Sequence, residues 1–257
     1  MRLRLPSLVL AVSLALVGSA LSAAAQTSIP RTPDGRPDFS GIWQALTTAS
    51  WDIQDHAAQK GVPGGPGIVV GNDIPYQPAA LARKKQNAER RATEDPVAKC
   101  YLPGIPRLLY MPHPFQIVQT PNEVMMLFEF VHAVRFIFLT GQHPPGPIEW
   151  WLGDSRARWD GDALVVDVVH FNDQTWFDNA GNFHSDALHL VERFTYLDAD
   201  HIQYDVRVED PKVYTRPWDM RVILYRRKEP NAQLYDYECY AFDYEKYYPY
   251  PQMRSPQ

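Results

Sequence analysis

The residues from Phe115 to Cys239 alternate between apolar and polar side chains, in short segments that are separated by turns. A period of two is typical of β-strands with one buried face and one exposed face. Connections as short as Pro121-Asn122 and Asp160-Gly161 indicate hairpins, and no helix-length segment intervenes, so parallel crossover units are not expected. The pattern predicts nine strands: Phe115–Thr120, Glu123–Val131, Ala133–Thr140, Ser155–Trp159, Ala163–Phe171, Leu188–Leu197, His201–Glu209, Trp218–Arg226 and Gln233–Cys239.

Sequential antiparallel strands in this number predict an all-β protein, whose up-and-down meander closes into a β-barrel. Closure would remove the exposed edges that a long open sheet must otherwise protect. The Gly41-Ile42-Trp43 segment resembles the glycine-x-tryptophan element of the first strand in lipocalin-like (calycin) barrels. A lipocalin-like β-barrel is therefore the predicted architecture, and a β-sandwich is the alternative.

The chain before the strands is irregular. Arg2 and Arg4 precede an apolar run from Leu8 to Leu21 and the small residues Ala23–Ala25, which is typical of a signal peptide over residues 1–25. A membrane anchor is the alternative, although the run is short for a span of roughly 20 residues. Residues 26–99 are predicted to form an irregular section with one helix from Pro78 to Thr93, and residues 100–257 the barrel. Residues 26–257 are expected to fold as one unit.

The two cysteines, Cys100 and Cys239, bear on the compartment. In an oxidising compartment an even pair predicts one disulfide, and two free thiols or one nucleophile are the alternative. Together with the signal peptide, the disulfide predicts a periplasmic or secreted protein with no membrane span after cleavage. The formal net charge of −5 argues against nucleic acid as a partner. The oligomeric state is not indicated.

The segment from His184 to Glu192 concentrates ionisable side chains. In an unbroken strand, His184, Asp186 and Glu192 would share one face. A histidine beside a carboxylate is the usual arrangement for general acid–base catalysis, because imidazole titrates near neutral pH. The pattern predicts His184 as the acid–base group, Asp186 as the residue that orients it, and Glu192 as a second acid–base or ion-pair residue. The candidate ligand-binding residues are Trp176, Asp173, His189, Phe183 and Glu129.

Charged side chains also fall on apolar faces of the predicted strands, as Arg135, Glu129, Asp167 and Glu192 do. Burying an unpaired charge is expensive, so these residues need partners. One interpretation is an internal ion pair of Arg135 with Glu129 or Glu192. The other is a polar lining at the base of a ligand cavity, in which Arg135 binds an anion.

No metal and no organic cofactor is predicted. The residues His184, Asp186, His189 and Glu192 are competent metal ligands, but their spacing matches no strong zinc motif. A metal held through His184 and His189 is the alternative. The glycine motifs of nucleotide-binding proteins are absent from the sequence.

Several segments form a specific set that covers most of the chain after residue 25: PDFSGIW, CYLPGIPR, GDSRARWDGDALVVD, HSDALHLVERF and VEDPKVYTRPW. Together they resemble a widespread and largely uncharacterised family of secreted bacterial proteins, with the pattern P-D-x-S-G-x-W, G-R-W-x-G-D-x-L-V-V-D and H-S-D-x-L-H-x-x-E-R-F. The chain departs from this pattern at His170, where a glycine is usual, and around Gln142-His143. The resemblance implies no particular reaction.

These observations favour a periplasmic enzyme that acts on a small apolar or aromatic compound by cofactor-free acid–base chemistry, as a lyase, isomerase or hydrolase. The first alternative is a lipocalin-like periplasmic binding protein for apolar ligands. The second is a structural or interaction protein, in which the tyrosine-rich tail from Tyr240 to Tyr250 contacts a partner.

Overall fold

A computed structural model describes residues 28–239 and shows a closed barrel of nine strands. Each strand pairs with its neighbours in chain order, and the first strand pairs with the last. The predicted all-β barrel is therefore confirmed, and the β-sandwich is excluded. The predicted signal peptide and the tail from Tyr240 to Tyr250 lie outside the described residues. The strands are β1 (Gly41–Ala45), β2 (Phe115–Gln119), β3 (Glu123–Phe128), β4 (Val134–Phe138), β5 (Asp154–Asp160), β6 (Ala163–Val169), β7 (His189–Asp198), β8 (His201–Glu209) and β9 (Trp218–Arg226).

Two α-helices accompany the barrel. Helix α1 spans Pro78–Glu94, which confirms the predicted helix to within one residue. Its first residue is proline, which suits that position because the first N–H groups of a helix have no intrahelical acceptor. Helix α2 spans Arg107–Tyr110, and all four of its residues are buried. Two 3₁₀ turns lie at Val70–Asn72 and Pro96–Lys99. No helix in residues 28–239 is long and apolar enough to span a membrane.

The alternation of side chains determines which face of each strand is buried. In β8, Ile202, Tyr204, Val206 and Val208 are buried, while the residues between them are partly or fully exposed. The registers align the buried faces of neighbouring strands, so that Val208 lies between Leu190 of β7 and Trp218 of β9. Large side chains fill the interior, and the following are under 2% exposed: Trp43, Phe115, Arg135, Phe194 and Tyr204.

The barrel closes where β1 pairs with β9, and the side chain of Arg226 stabilises this junction. Its guanidinium lies 4.2 Å from the ring centre of Trp43, and it donates to Ser40 O and to Tyr196 Oη, each at 2.9 Å. Gly41 has a φ of 138°, and a Cβ there would lie 2.4 Å from Arg226 Nη1. A glycine is therefore required beside the arginine. The contacts of Arg226 therefore explain why the Gly-x-Trp element has a glycine at position 41 and a tryptophan at position 43.

One pairing departs from the predicted antiparallel pattern, because β4 and β5 run parallel. A parallel pair needs a crossover of about a dozen residues or more, and residues 139–153 supply it without forming a helix. The prediction that no strands pair in parallel was wrong. It assumed that a parallel crossover must contain a helix, whereas a crossover only has to be long enough to return to the same end of the sheet. Just two residue pairs are in register, Ile137 with Ser155 and Phe138 with Arg156. The two strands therefore diverge on either side of this short contact.

The predicted strand Gln233–Cys239 is also wrong. Since β1 and β9 close the barrel, no edge remains for a tenth strand, and this segment makes a single bridge between Tyr237 and Phe130. The predicted disulfide is confirmed: Cys100 and Cys239 are bonded, with their Cα atoms 5.4 Å apart. The segment is thus attached to the barrel by a covalent bond rather than by a ladder.

Candidate functional site

A buried ion pair crosses the barrel interior. Arg135 of β4 donates from Nη1 to Glu192 Oε1 of β7 at 3.1 Å, and from Nη2 to Glu192 Oε2. Arg135 also donates to Ser155 Oγ from Nε at 3.1 Å and from Nη2 at 2.9 Å, and Tyr204 Oη donates to Glu192 Oε1. Neither charged side chain is more than 1% exposed. Of the two predicted ion pairs, Arg135 with Glu192 is formed.

Every nitrogen and oxygen of the two charged groups in this network takes part in a hydrogen bond. All three nitrogens of the Arg135 guanidinium donate within the barrel, and both Glu192 oxygens accept. Burial and the adjacent Glu192 carboxylate raise the pKa of Tyr204 well above its ordinary value, so the phenol stays a donor. Each of the two buried charges thus has an opposite charge and further hydrogen-bond partners beside it. This arrangement stabilises one interior packing, with the Arg135 guanidinium directed to Glu192 and Ser155.

The His184 ring is almost completely buried, at 1% exposure. Its Nδ1 lies 2.9 Å from Ser185 O and donates to it, which leaves Nε2 to accept from Thr175 Oγ at 2.6 Å. The rings of Phe171 and Phe177 pack on it. Burial lowers the pKa of His184, so the neutral ring is favoured. All four of these partners lie between β6 and β7, so the ring holds that connecting segment together.

The sequence predicts that Asp186 orients His184, but in the structure Asp186 binds a different residue. Its carboxylate accepts from Lys212 Nζ at 2.7 and 2.9 Å, and the side chain is about half exposed. The hydrogen bond from Lys212 lowers the pKa of Asp186. Since the chain turns between Asp186 and the start of β7 at His189, the three residues His184, Asp186 and Glu192 do not share a strand face.

A chain of histidines and carboxylates lies on the outer face of the barrel instead. His143 Nδ1 is 2.6 Å from Asp154 Oδ2, and its Nε2 is 2.9 Å from Asp167 Oδ1. The other oxygen of Asp167 is 2.9 Å from His189 Nε2, and Arg156 donates twice to Asp154. Burial raises the pKa of Asp154, but the hydrogen bonds from Arg156 and His143 outweigh it, and the pKa lies below its usual range. Hydrogen bonds from His189 and His143 likewise outweigh burial and lower the pKa of Asp167, so both partners of His143 are anionic at neutral pH.

A cleft of about 530 Å³ opens where β4 and β5 diverge. We call it the wall cleft, because it lies in the side of the barrel. Asp154 and Arg156 stand in its lining, and His143 adjoins it through Asp154. Two outward side chains of β4, Val134 and Phe136, are 43% and 48% exposed. The cleft reaches the buried ion pair, because Arg135 and Ser155 also belong to its lining. The apolar lining residues are Leu102, Val134, Phe136, Phe138, Pro144, Trp150, Trp151 and Leu152.

A second cleft, of about 390 Å³, lies between α1 and the loop after β6. We call it the helix cleft. Two predicted ligand-binding residues, Asp173 and Trp176, line it. A third, Phe183, is buried and forms a bridge with Trp176. Neither His184 nor Glu192 is among the lining residues of the wall cleft or the helix cleft.

The remaining predicted ligand-binding residues have internal partners. Glu129 follows β3 rather than lying on it, and its Oε2 accepts from Tyr235 N at 2.9 Å, which holds the segment before Cys239. His189 lies on the outer face of β7, between Asp167 and Glu209. The residues that sequence reasoning missed are His143 and Trp150, both in the crossover between β4 and β5. The departure from the family pattern around His143 was the available signal.

Asp178 is a fully buried carboxylate. It accepts from Ile53 N at 2.9 Å and from Asn182 N at 3.0 Å, so it joins the N-terminal section to the loop before β7. Burial, together with the charge of Asp52, raises the pKa of Asp178 to about 7. The folded protein therefore binds this proton more tightly than the unfolded chain, where an aspartate titrates near about 3.9.

This difference predicts a pH dependence of stability. At a pH below both pKa values, Asp178 is protonated in the folded and in the unfolded protein. The stability that this protonation contributes is lost as the pH rises through the pKa of the folded state. Between about pH 5 and pH 7.5, the free energy of unfolding should fall by about 2–3 kcal/mol from this group. Urea unfolding of wild type and Asp178→Asn over this range measures it. If the free energy of unfolding falls as steeply with pH in Asp178→Asn as in wild type, Asp178 is not the group responsible.

In the described part of the chain, no group of three or more His, Cys, Asp or Glu side chains is placed to hold a metal ion. His184 and His189, the two residues of the metal alternative, bind different partners. Searches find no family model that matches the chain and no curated protein similar to it. The resemblance to secreted bacterial proteins stays a prediction.

Proposed function

We propose that this is a periplasmic protein that binds a small apolar or aromatic molecule in the wall cleft. The observation that carries the proposal is a cleft of about 530 Å³ with four aromatic side chains in its lining, those of Phe136, Phe138, Trp150 and Trp151. Small-molecule sites commonly have volumes of about 300–1,000 Å³ and mainly apolar linings with a few polar groups. The β-barrel is consistent with lipocalin-like binding, although here the ligand lies in the wall, because side chains fill the interior.

The polar edge of the wall cleft supports binding with a fixed orientation. Arg156 is held by Asp154 at 2.8 and 2.9 Å, and its guanidinium lies 4.7 Å from the ring centre of Phe138. Asp154 also holds His143. Because these groups restrain one another, they present donors at a constant position beside the apolar lining. The ligand is then an apolar body with a polar substituent at one end.

The disulfide between Cys100 and Cys239 supports the periplasmic compartment. Disulfides persist in oxidising compartments such as the bacterial periplasm. The apolar run and small residues of the first 25 positions support export to that compartment.

Fluorescence titration with the neutral apolar probe N-phenyl-1-naphthylamine tests the site. Phe136→Asp places a charge in the lining, and we expect it to weaken probe binding by about tenfold or more, since burying a charge beside the probe is unfavourable. Leu197→Asp is the matched control, because Leu197 is 55% exposed and is not among the lining residues of the wall cleft. Equal loss of binding in both variants would contradict the proposed site.

A second candidate function is acid–base catalysis on the bound compound, as in a lyase, isomerase or hydrolase. The observation that favours it is His143, which lies between two carboxylates at the edge of the wall cleft. In this candidate, His143 takes the role that the sequence predicts for His184. Compounds that co-purify with the protein discriminate between the two: recovery of unchanged compound favours binding, and conversion that stops in His143→Gln favours catalysis.

A further inference from the structure

The helix cleft has a different chemistry from the wall cleft. Its lining carries three cationic residues, Arg83, Arg90 and Lys99, and two acidic residues, Glu94 and Asp173, which gives a local net charge of +1 in a chain of net charge −5. Most of the other lining groups are polar. The described residues therefore surround a small, positively charged cleft on an acidic protein.

Arg83 and Arg90 lie seven residues apart on α1, and they share one face of the helix, about 10 Å apart along its axis. In residues 28–239, neither guanidinium has a hydrogen-bond acceptor or an ion-pair partner. The acidic groups of the cleft have partners within its own lining: Glu94 pairs with Lys99 at 2.8 Å, and Asp173 accepts from Gln174 Nε2. Two free guanidinium groups thus face the same cleft.

An aromatic ring fixes the position of one of these charges, that of Arg83. The Arg83 guanidinium lies 4.6 Å from the ring centre of Phe183, a cation–π contact that holds the side chain over a buried ring. Trp176, which forms a bridge with Phe183, and Tyr101 line the cleft beside the arginines. An anion between the arginines would therefore have an aromatic surface next to it.

We propose that the helix cleft binds a small organic anion, whose carboxylate or phosphate group lies between Arg83 and Arg90 and whose ring packs on Trp176. The planar guanidinium group matches the oxygens of carboxylate and phosphate, and such charge-assisted hydrogen bonds are stronger than neutral ones. The sequence alone gives this helix face no function, because five basic residues on an exposed helix are ordinarily solvated. Of these five basic residues, only Arg83 and Arg90 line the cleft. This site is independent of the wall cleft.

Phenyl phosphate tests the proposal, with benzyl alcohol as its neutral counterpart. Isothermal titration of the disulfide-bonded protein at low salt should detect phenyl phosphate but not benzyl alcohol. Each of the variants Arg83→Gln and Arg90→Gln should weaken binding about tenfold, as expected for the loss of a charge-assisted hydrogen bond. Lys85→Gln is the matched control, since it removes the same charge from an exposed position of α1 that does not line the cleft.

Three results would overturn the proposal: no binding of phenyl phosphate, equal binding of benzyl alcohol, or equal weakening in Lys85→Gln and the two arginine variants. The last would show a general attraction of anions to α1. Binding of N-phenyl-1-naphthylamine in the wall cleft should not change in Arg83→Gln or Arg90→Gln, so the two sites can fail separately. Thermal unfolding followed by circular dichroism verifies that the variants are folded, as expected for exposed side chains.

Discussion

Replacing Arg135 by methionine is expected to lower the free energy of unfolding by about 3–5 kcal/mol. The change leaves the Glu192 carboxylate inside the barrel with Tyr204 as its remaining donor, and a buried charge without its counterion is strongly unfavourable. Ser155 Oγ would also lose the donor nitrogens of Arg135. Urea unfolding monitored by tryptophan fluorescence measures the loss.

The double variant Arg135→Met/Glu192→Leu is the control for this prediction. Apolar side chains of similar volume can replace a buried ion pair with little loss, because both desolvation penalties disappear together. We expect the double variant to recover most of the stability that Arg135→Met loses. If the double variant is as unstable as the single one, the pair contributes more than charge compensation.

The same double variant separates a structural role from a catalytic one. The sequence assigns Arg135 to anion binding and Glu192 to acid–base chemistry, whereas in the structure the two side chains bind each other inside the barrel. A folded double variant that still binds N-phenyl-1-naphthylamine would support the structural role. Because Arg135 lines the wall cleft, loss of probe binding in a folded double variant would show that the pair also contributes to binding.

Removing the disulfide is the second change with a large expected effect. Cys100 and Cys239 are 139 residues apart, so the bond closes nearly the whole barrel into one loop. In the chain-entropy model, the double variant Cys100→Ser/Cys239→Ser should be less stable by roughly 5 kcal/mol, because the unfolded chain regains that freedom. Guanidinium unfolding of wild type and variant, each with and without dithiothreitol, measures the difference.

Two outcomes distinguish global from local stabilisation. Wild type in dithiothreitol should match the variant, and the variant itself should not respond to dithiothreitol. A loss below about 1 kcal/mol would contradict the prediction, since it would mean that the segment before Cys239 detaches without unfolding the barrel. That segment has few other anchors, among them Tyr235 on Glu129 and Tyr237 on Phe130.

The fold could be predicted because its strands follow a local rule. Alternation of side chains depends on neighbouring residues alone, so β8 was located from His201 to Glu209 without error. The parallel pairing of β4 with β5 is set by the length of the crossover, which carries no strand or helix pattern. The segment Gln233–Cys239 alternates like a strand, but pairing needs a free edge, and the closed barrel has none.

The site could be predicted only in part, because closeness in sequence is a poor guide to closeness in space. His184 and Asp186 are two residues apart, yet one ring nitrogen binds Thr175 and the carboxylate binds Lys212, which follows β8. The pairing of Arg135 with Glu192 was predictable, since both lie on buried strand faces and each needs a counterion. The cluster at His143 joins β5, β6 and the crossover, and only the fold brings these together.

The junction of β1 with β9 has a consequence for the order of folding. Strand β1 pairs only with β2 and β9, so the first strand of the chain cannot complete its ladders until the last strand has been added. Until then the growing sheet has two edges with unpaired N–H and C=O groups, where another chain can add a strand. Hairpins from β5 to β9 form between sequence neighbours and can precede this step. The stage most exposed to aggregation is therefore the nearly complete chain, before Arg226 reaches Trp43 and Gly41.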